Sequence, residues 1–151
     1  MNVSTELMLD ECLELLHAEV VGRVGLQTPV GPRIIPVNYS MYGDAIVWRT
    51  LPFSELASYG NDMDVAFEVD QIDRDTRTGW DVVALGRVRI VTDLQEIADI
   101  RRVEDPAPWA QGLRNLYMSL RWRDLRGRRI GAPTDEPLLS GPLPLRPGTT
   151  V

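Results

Sequence analysis

Lysine is missing from this chain. All sixteen of its basic residues are arginine, set against twenty-two acids for a net charge of −6. Schiff-base lysine chemistry and phosphate loops built on a lysine are therefore excluded. The acidic balance argues against a nucleic-acid partner, whose binding rests largely on neutralised phosphates. Histidine and cysteine occur once each, as His17 and Cys12. No internal disulfide can form, which fits a reducing cytoplasm. Zinc sites of the usual His and Cys types lack their ligands. A Ser-His-Asp or Cys-His catalytic set would have to use His17, which falls near the end of the first predicted helix, where it favours the helix dipole. No apolar run approaches the ~18 residues of a membrane span. The first residues, "MNVSTELMLDECLELL", carry acids where an export signal carries basic residues, so no such signal is read.

What is present is an ordinary globular mixture, 44% hydrophobic and 25% charged over 151 residues, enough for one domain with a core. Leu9, Leu13 and Leu16 recur at helical spacing and predict a helix over 6–18. "VVGRVGLQT" then switches to a period of two and predicts a strand over 20–28. "PVGP" is a turn, and "RIIPVNYSMY" a second strand with Pro36 inside it. A proline cannot donate to a ladder, so that stretch should be an edge, a bulge or a ligand-facing segment. "YGD" makes a hairpin into "AIVWRT". "SELASYG" is a short helix with Ser54 as its N-cap and Gly60 as its stop. "DVAFEVDQI" is a fourth strand and "DRDTRTG" a polar loop. "WDVVALGRVRIVT" is a long strand that Gly86 lets bend.

"DLQEIADIRRVE" opens with Asp93 and Glu96 at capping-box spacing and predicts a helix. "DPAPWAQG" is a loop, and "NLYMSLRWRDLRGRRIG" a sixth strand, bent at Gly127. Its arginines, from Arg121 to Arg129, read as one solvated face paired with acids such as Asp70, Asp73 and Asp75. From Ala132 five prolines fall within twenty residues. Residues 1–131 thus read as one domain, and 132–151 as a proline-rich tail, extended, disordered or lying on another surface. The class is mainly β (α+β): a closed or partly closed antiparallel barrel of six strands with short flanking helices.

In that order, a helix, "VGRVGL", "PVNY", "GDAIVWRT", "VAFEVD" and "GWDVVALGRVRIV" resemble the pyridoxamine 5'-phosphate oxidase-like family of flavin-binding split barrels, over about residues 7–130. The resemblance implies a six-stranded split β-barrel and a homodimer with two cofactor sites at its interface. It implies FMN as cofactor, with the deazaflavin F420 or none as alternatives. The activity implied is a flavin-dependent oxidoreductase or reductase on a small-molecule substrate. The alternative is a non-catalytic dimeric barrel that binds or sequesters a small ligand and has lost tight flavin binding.

The implied cofactor residues follow motif by motif. "PVNY" matches the strand along the flavin ring, which brings in Pro36, Val37, Asn38 and Tyr39, with backbone groups of Val37 and Asn38 meeting the ring's polar edge. "WRT" matches the strand end that holds the phosphate. There Arg49 offers a donor fork, Thr50 a hydroxyl and Ser54 the start of a helix. Trp80 in "GWDVV" matches a segment approaching the cofactor, and Trp109 in "APWA" a loop that covers the ring from the partner subunit. Glu55 and Phe53 depart from the pattern, since relatives often place a lysine where Glu55 stands. Asp81 departs too, where relatives often place a serine. Three readings of Glu55 stay open: it faces solvent, another arginine such as Arg33 reaches in, or the anion site has been lost.

Overall fold

The computed structural model describes residues 4–131; the expected proline-rich tail lies outside them. Ten elements follow one another: β1 (Ser4–Glu6), α1 (Leu9–Ala18), β2 (Val21–Thr28), β3 (Gly31–Tyr42), β4 (Ala45–Thr50), α2 (Glu55–Gly60), β5 (Asp64–Asp73), β6 (Thr78–Ile90), α3 (Leu94–Glu104) and β7 (Leu116–Ile130). The sheet runs β1-β7-β4-β3-β2-β5-β6, and β6 pairs with β7 to close it. Every pairing is antiparallel. Setting β1 aside, six strands form the ring, which is the expected split barrel.

β1 is the strand the sequence pattern did not predict. The predicted first helix begins at residue 6, and no element is predicted before it; instead Ser4–Glu6 pair with Arg128–Ile130. The long β7 explains this. Its first half lies between β4 and β6, while its second half has β6 on one side only. β1 covers the edge that β4 leaves open. The Leu7 N–H also donates to the Gly127 carbonyl at 2.9 Å, and α1 begins only after that. A Cβ on Gly127 would meet the Cys12 sulfur of α1 at 2.7 Å, so glycine lets the helix close on the strand. His17 sits in the last turn of α1, as read.

Two apolar layers hold the barrel. Inside it, Val24, Val37, Tyr39, Trp48, Phe67, Val69, Val82 and Leu120 pack with Leu16 and Cys12 of α1. Outside it, Val47, Val91, Ile100 and Tyr117 form a second cluster beneath α3. Each fully buried large aliphatic or aromatic side chain contributes about 1.5–3 kcal/mol by area. The second cluster explains why Tyr117, on the outer face of β7, is buried. Between Leu85 and Gly86 the β6–β7 register shifts, a bulge at the glycine expected to bend the strand.

Candidate functional site

β3 is paired on both sides for only part of its length. It pairs with β2 from Gly31 to Asn38, but with β4 only from Tyr39 onward. Residues 31–38 therefore offer one free edge, and Pro36 lies on it, exposed. The Tyr39 N–H donates to the Val20 carbonyl at 3.0 Å. Antiparallel pairing alternates, so the main-chain groups of Val37 also face β2, while those of Pro36 and Asn38 face the free edge. This corrects one expectation: Val37 has no backbone group to offer a ligand there. Val37 and Tyr39 point their side chains into the core. The Tyr39 hydroxyl donates to the Leu16 carbonyl at 2.6 Å, and burial raises its pKa well above the usual phenol range. Tyr39 is a core residue that anchors α1.

Asn38 and Trp109 do come together: the Asn38 Oδ1 accepts from the Trp109 backbone N–H at 2.8 Å. The indole itself is 75% exposed. At the end of β4, the Arg49 guanidinium is already engaged. Its Nε donates to the Arg114 carbonyl at 2.8 Å, and its Nη1 pairs with the Asp105 carboxylate at 3.0 Å. It also lies 5.2 Å from the Tyr117 ring centroid, with Arg101 at 5.4 Å. The Tyr117 hydroxyl donates to Asp105 at 2.8 Å and accepts from Arg101 Nε at 2.9 Å. Burial pushes the Tyr117 pKa up, and the Arg101 hydrogen bond opposes that.

Thr50 and Ser54 are likewise occupied. The Thr50 hydroxyl donates to Ser54 Oγ at 2.8 Å, and Ser54 Oγ accepts from the Ala57 N–H at 3.2 Å, the expected N-cap. The helix that follows has only six residues. Glu55 neither faces solvent alone nor opposes a bare anion site, because it pairs with Arg33 Nε at 3.5 Å across the free half of β3. Phe53 is 94% exposed beside it.

Trp80 stands apart from this group. It is opposite Arg129 on β7, whereas Arg49 is opposite Tyr117 at the other end of that strand. Trp80 lines a cavity of about 470 Å³ with Ile72, Ile130 and the Asp81–Arg128 pair. Arg128 neutralises Asp81 at 2.7 Å. The β7 arginines pair with acids as expected, but with different ones: Arg123 with Asp64, Arg126 with Asp124, Arg129 with Glu11. Asp70 instead pairs with Arg23. Asp105, Tyr117 and Arg114 carried no signal in the sequence, since their grouping depends on how α3 returns to β7.

The family model for pyridoxamine 5'-phosphate oxidase matches residues 9–129. The chain belongs to that family. An uncharacterized protein of Mycobacterium tuberculosis is 29% identical over 137 residues, covering 87% of this chain and 89% of its own. Among solved structures, an FAD-binding protein from Mycobacterium smegmatis is similar at a TM-score of 0.71 and 26% identity, covering 85% of this chain and 99% of that one. A conserved protein of unknown function from Corynebacterium diphtheriae is similar at 0.69 and 29%, covering 83% and 96%. As a pyridoxamine 5'-phosphate oxidase family member, the chain has its split barrel from that fold. Among the described residues no helix is long and apolar enough to cross a membrane, and no group of three or more His, Cys, Asp or Glu side chains is placed to hold a metal ion.

Proposed function

We propose that this protein is a flavin-dependent oxidoreductase that reduces or oxidises a small molecule in the cytoplasm. The observation that carries the reading is the free edge of β3, on which Pro36 has no N–H to donate and Asn38 stands at the end. A planar ring needs an unpaired strand with alternating donors and acceptors beside it, and an amide side chain supplies both. Family membership and the FAD-binding relative support the same reading. The flavin supplies the hydride chemistry, and the chain's part is to bind and orient it.

The ring end and the tail end of the site fit a flavin differently. At the strand end, the Arg49 fork, the Thr50 hydroxyl and the Ser54 hydroxyl already have partners, and Glu55 stands opposite Arg33. While the connection from α3 to β7 stays in place, none of the three groups expected to hold the terminal phosphate of FMN is free for it. This favours a flavin whose tail continues past that point, as in FAD, over FMN; F420 is the remaining alternative. Docking of two copies is part of the proposal. Ile34, Gly25, Ala66 and Leu85 fall in one cross-strand row on the outer face of the barrel, a smooth apolar shelf with Ile34 exposed.

The test is an absorption spectrum of the purified protein after mixing with excess FAD, FMN or F420 and desalting. Retained flavin bands, strongest with FAD, are expected. A colourless protein after all three would remove the reading. It would favour a second one, which the engagement of Arg49 also supports: a dimeric barrel that binds another small ligand without catalysis.

A further inference from the structure

Asn38 and Arg49, two side chains on different strands, hold the same piece of chain. The connection from α3 to β7 is fixed at both ends by Arg49, through the Asp105 carboxylate and the Arg114 carbonyl, and in its middle by Asn38, through the Trp109 N–H. Ser40 fastens the end of α3 just before it, donating to the Glu104 carbonyl at 2.7 Å. Apolar burial contributes little to this connection. Trp109 is 75% and Leu113 80% exposed, and Pro106 is its one buried residue. The closed position also leaves the Arg114 Nε buried with no partner among the described residues, which is unfavourable for a donor. A segment held by a few polar contacts, with its large side chains in water and an unsatisfied donor, opens at low cost.

We infer that residues 106–115 form a releasable strap, and that a ligand on the free edge of β3 opens it by competing for Asn38 and Arg49. This rests on the reading of those two residues as ligand contacts. An amide edge on the ligand replaces the Trp109 N–H at Asn38. An oxygen of the ligand competes with the Arg114 carbonyl and the Asp105 carboxylate for the Arg49 guanidinium. Closed, the strap withholds both groups; open, it frees Trp109 to move over whatever lies on the edge. The arginine-only composition makes the strap easy to probe, because trypsin has one target within it, the Arg114–Asn115 bond.

The experiment is limited trypsin digestion of the full chain, followed by mass spectrometry, with the rate at Arg114 compared with that at the β7 arginines. Asp105→Asn removes the charge-assisted hold of Arg49 and should raise cleavage at Arg114 about tenfold. Asn38→Ala should raise it a few-fold, and guards against a folding defect in the first variant. Unchanged cleavage at the β7 arginines reports an intact barrel. Saturating FAD should raise cleavage at Arg114 in the unmodified protein. Flavin that is retained while Arg114 stays equally or better protected overturns the strap. Flavin retained by Asp105→Asn but poorly by the unmodified protein supports it. Failure of either to retain any flavin overturns the ligand-driven release together with the functional reading, whereas failure of the strap alone leaves the flavin bands in place.

Discussion

Tyr39 and Glu55 show how single side chains set this barrel's limits. Tyr39 is 2% exposed, and its hydroxyl joins β3 to α1. Burial raises its pKa far above the ~10 of an unfolded chain. The folded state therefore holds the neutral phenol, and its stabilising contribution is complete below about pH 10. Above that, the unfolded chain loses the proton first, and stability falls as the pH rises. Tyr39→Phe should lose about 1 kcal/mol at neutral pH with the hydrogen bond and flatten the alkaline fall. Urea melts between pH 7 and 11 measure both, and an alkaline fall of equal slope in Tyr39→Phe would refute the assignment. Glu55 acts through charge. Its pair with Arg33 is exposed and contributes about 0–1 kcal/mol, so Glu55→Lys should scarcely change stability. It should tighten FMN about tenfold or more, by the Coulomb energy of a unit charge at roughly 4 Å, and leave riboflavin unchanged. Fluorescence titration of both flavins decides this, and an equal shift for the two would place the tail elsewhere.

Elements are where the sequence was most readable. The alternation of "DVAFEVDQI" and "GWDVVALGRVRIV" reports two strands directly, because each has one face in the barrel core, and the short apolar run of "AIVWRT" reports a third, buried on both faces. β1 escaped, since three exposed residues have no period to read and their strand state comes only from the open edge of β7. The candidate site divides the same way. Ser54 as N-cap and Pro36 on a free edge are local facts, and they were legible. The engagement of Arg49 by Asp105 and Arg114 joins parts of the chain far apart in sequence, so no local pattern announces it. Gly86 is a further local signal with a structural consequence. A Cβ there would land on the Arg121 carbonyl oxygen, a backbone atom with no room to give. Gly86→Ala should cost on the order of 1–3 kcal/mol, as overpacking does. Thermal denaturation measures it, and a melting point equal to that of the parent protein would mean the bulge can shift its register.

Among the described residues the barrel leaves several large apolar side chains in water. Ile34 is 74% exposed and Phe53 94%, and Leu85 continues the shelf across Gly25 and Ala66. Contiguous exposed apolar surface of this kind marks an interaction face. The small residues at its centre let a second sheet approach closely, while Arg33, Arg123 and Asp64 border the groove with both signs of charge. Mixed charge around an apolar centre suits a self-complementary two-fold contact, in which each group meets the opposite sign on the partner. In the proposed dimer, Ile34→Glu would place a carboxylate on that shelf beside its own two-fold mate. The substitution is exposed on a free strand edge, so the barrel should keep its melting behaviour to within about 0.5 kcal/mol. Dimerisation should weaken by at least tenfold, read as the mass from light scattering across a dilution series. If the variant keeps the parent's mass at every concentration, the shelf is not where two copies meet. Loss of the dimer with flavin retention intact would place the ligand within one barrel, and loss of both would make the second copy part of the site.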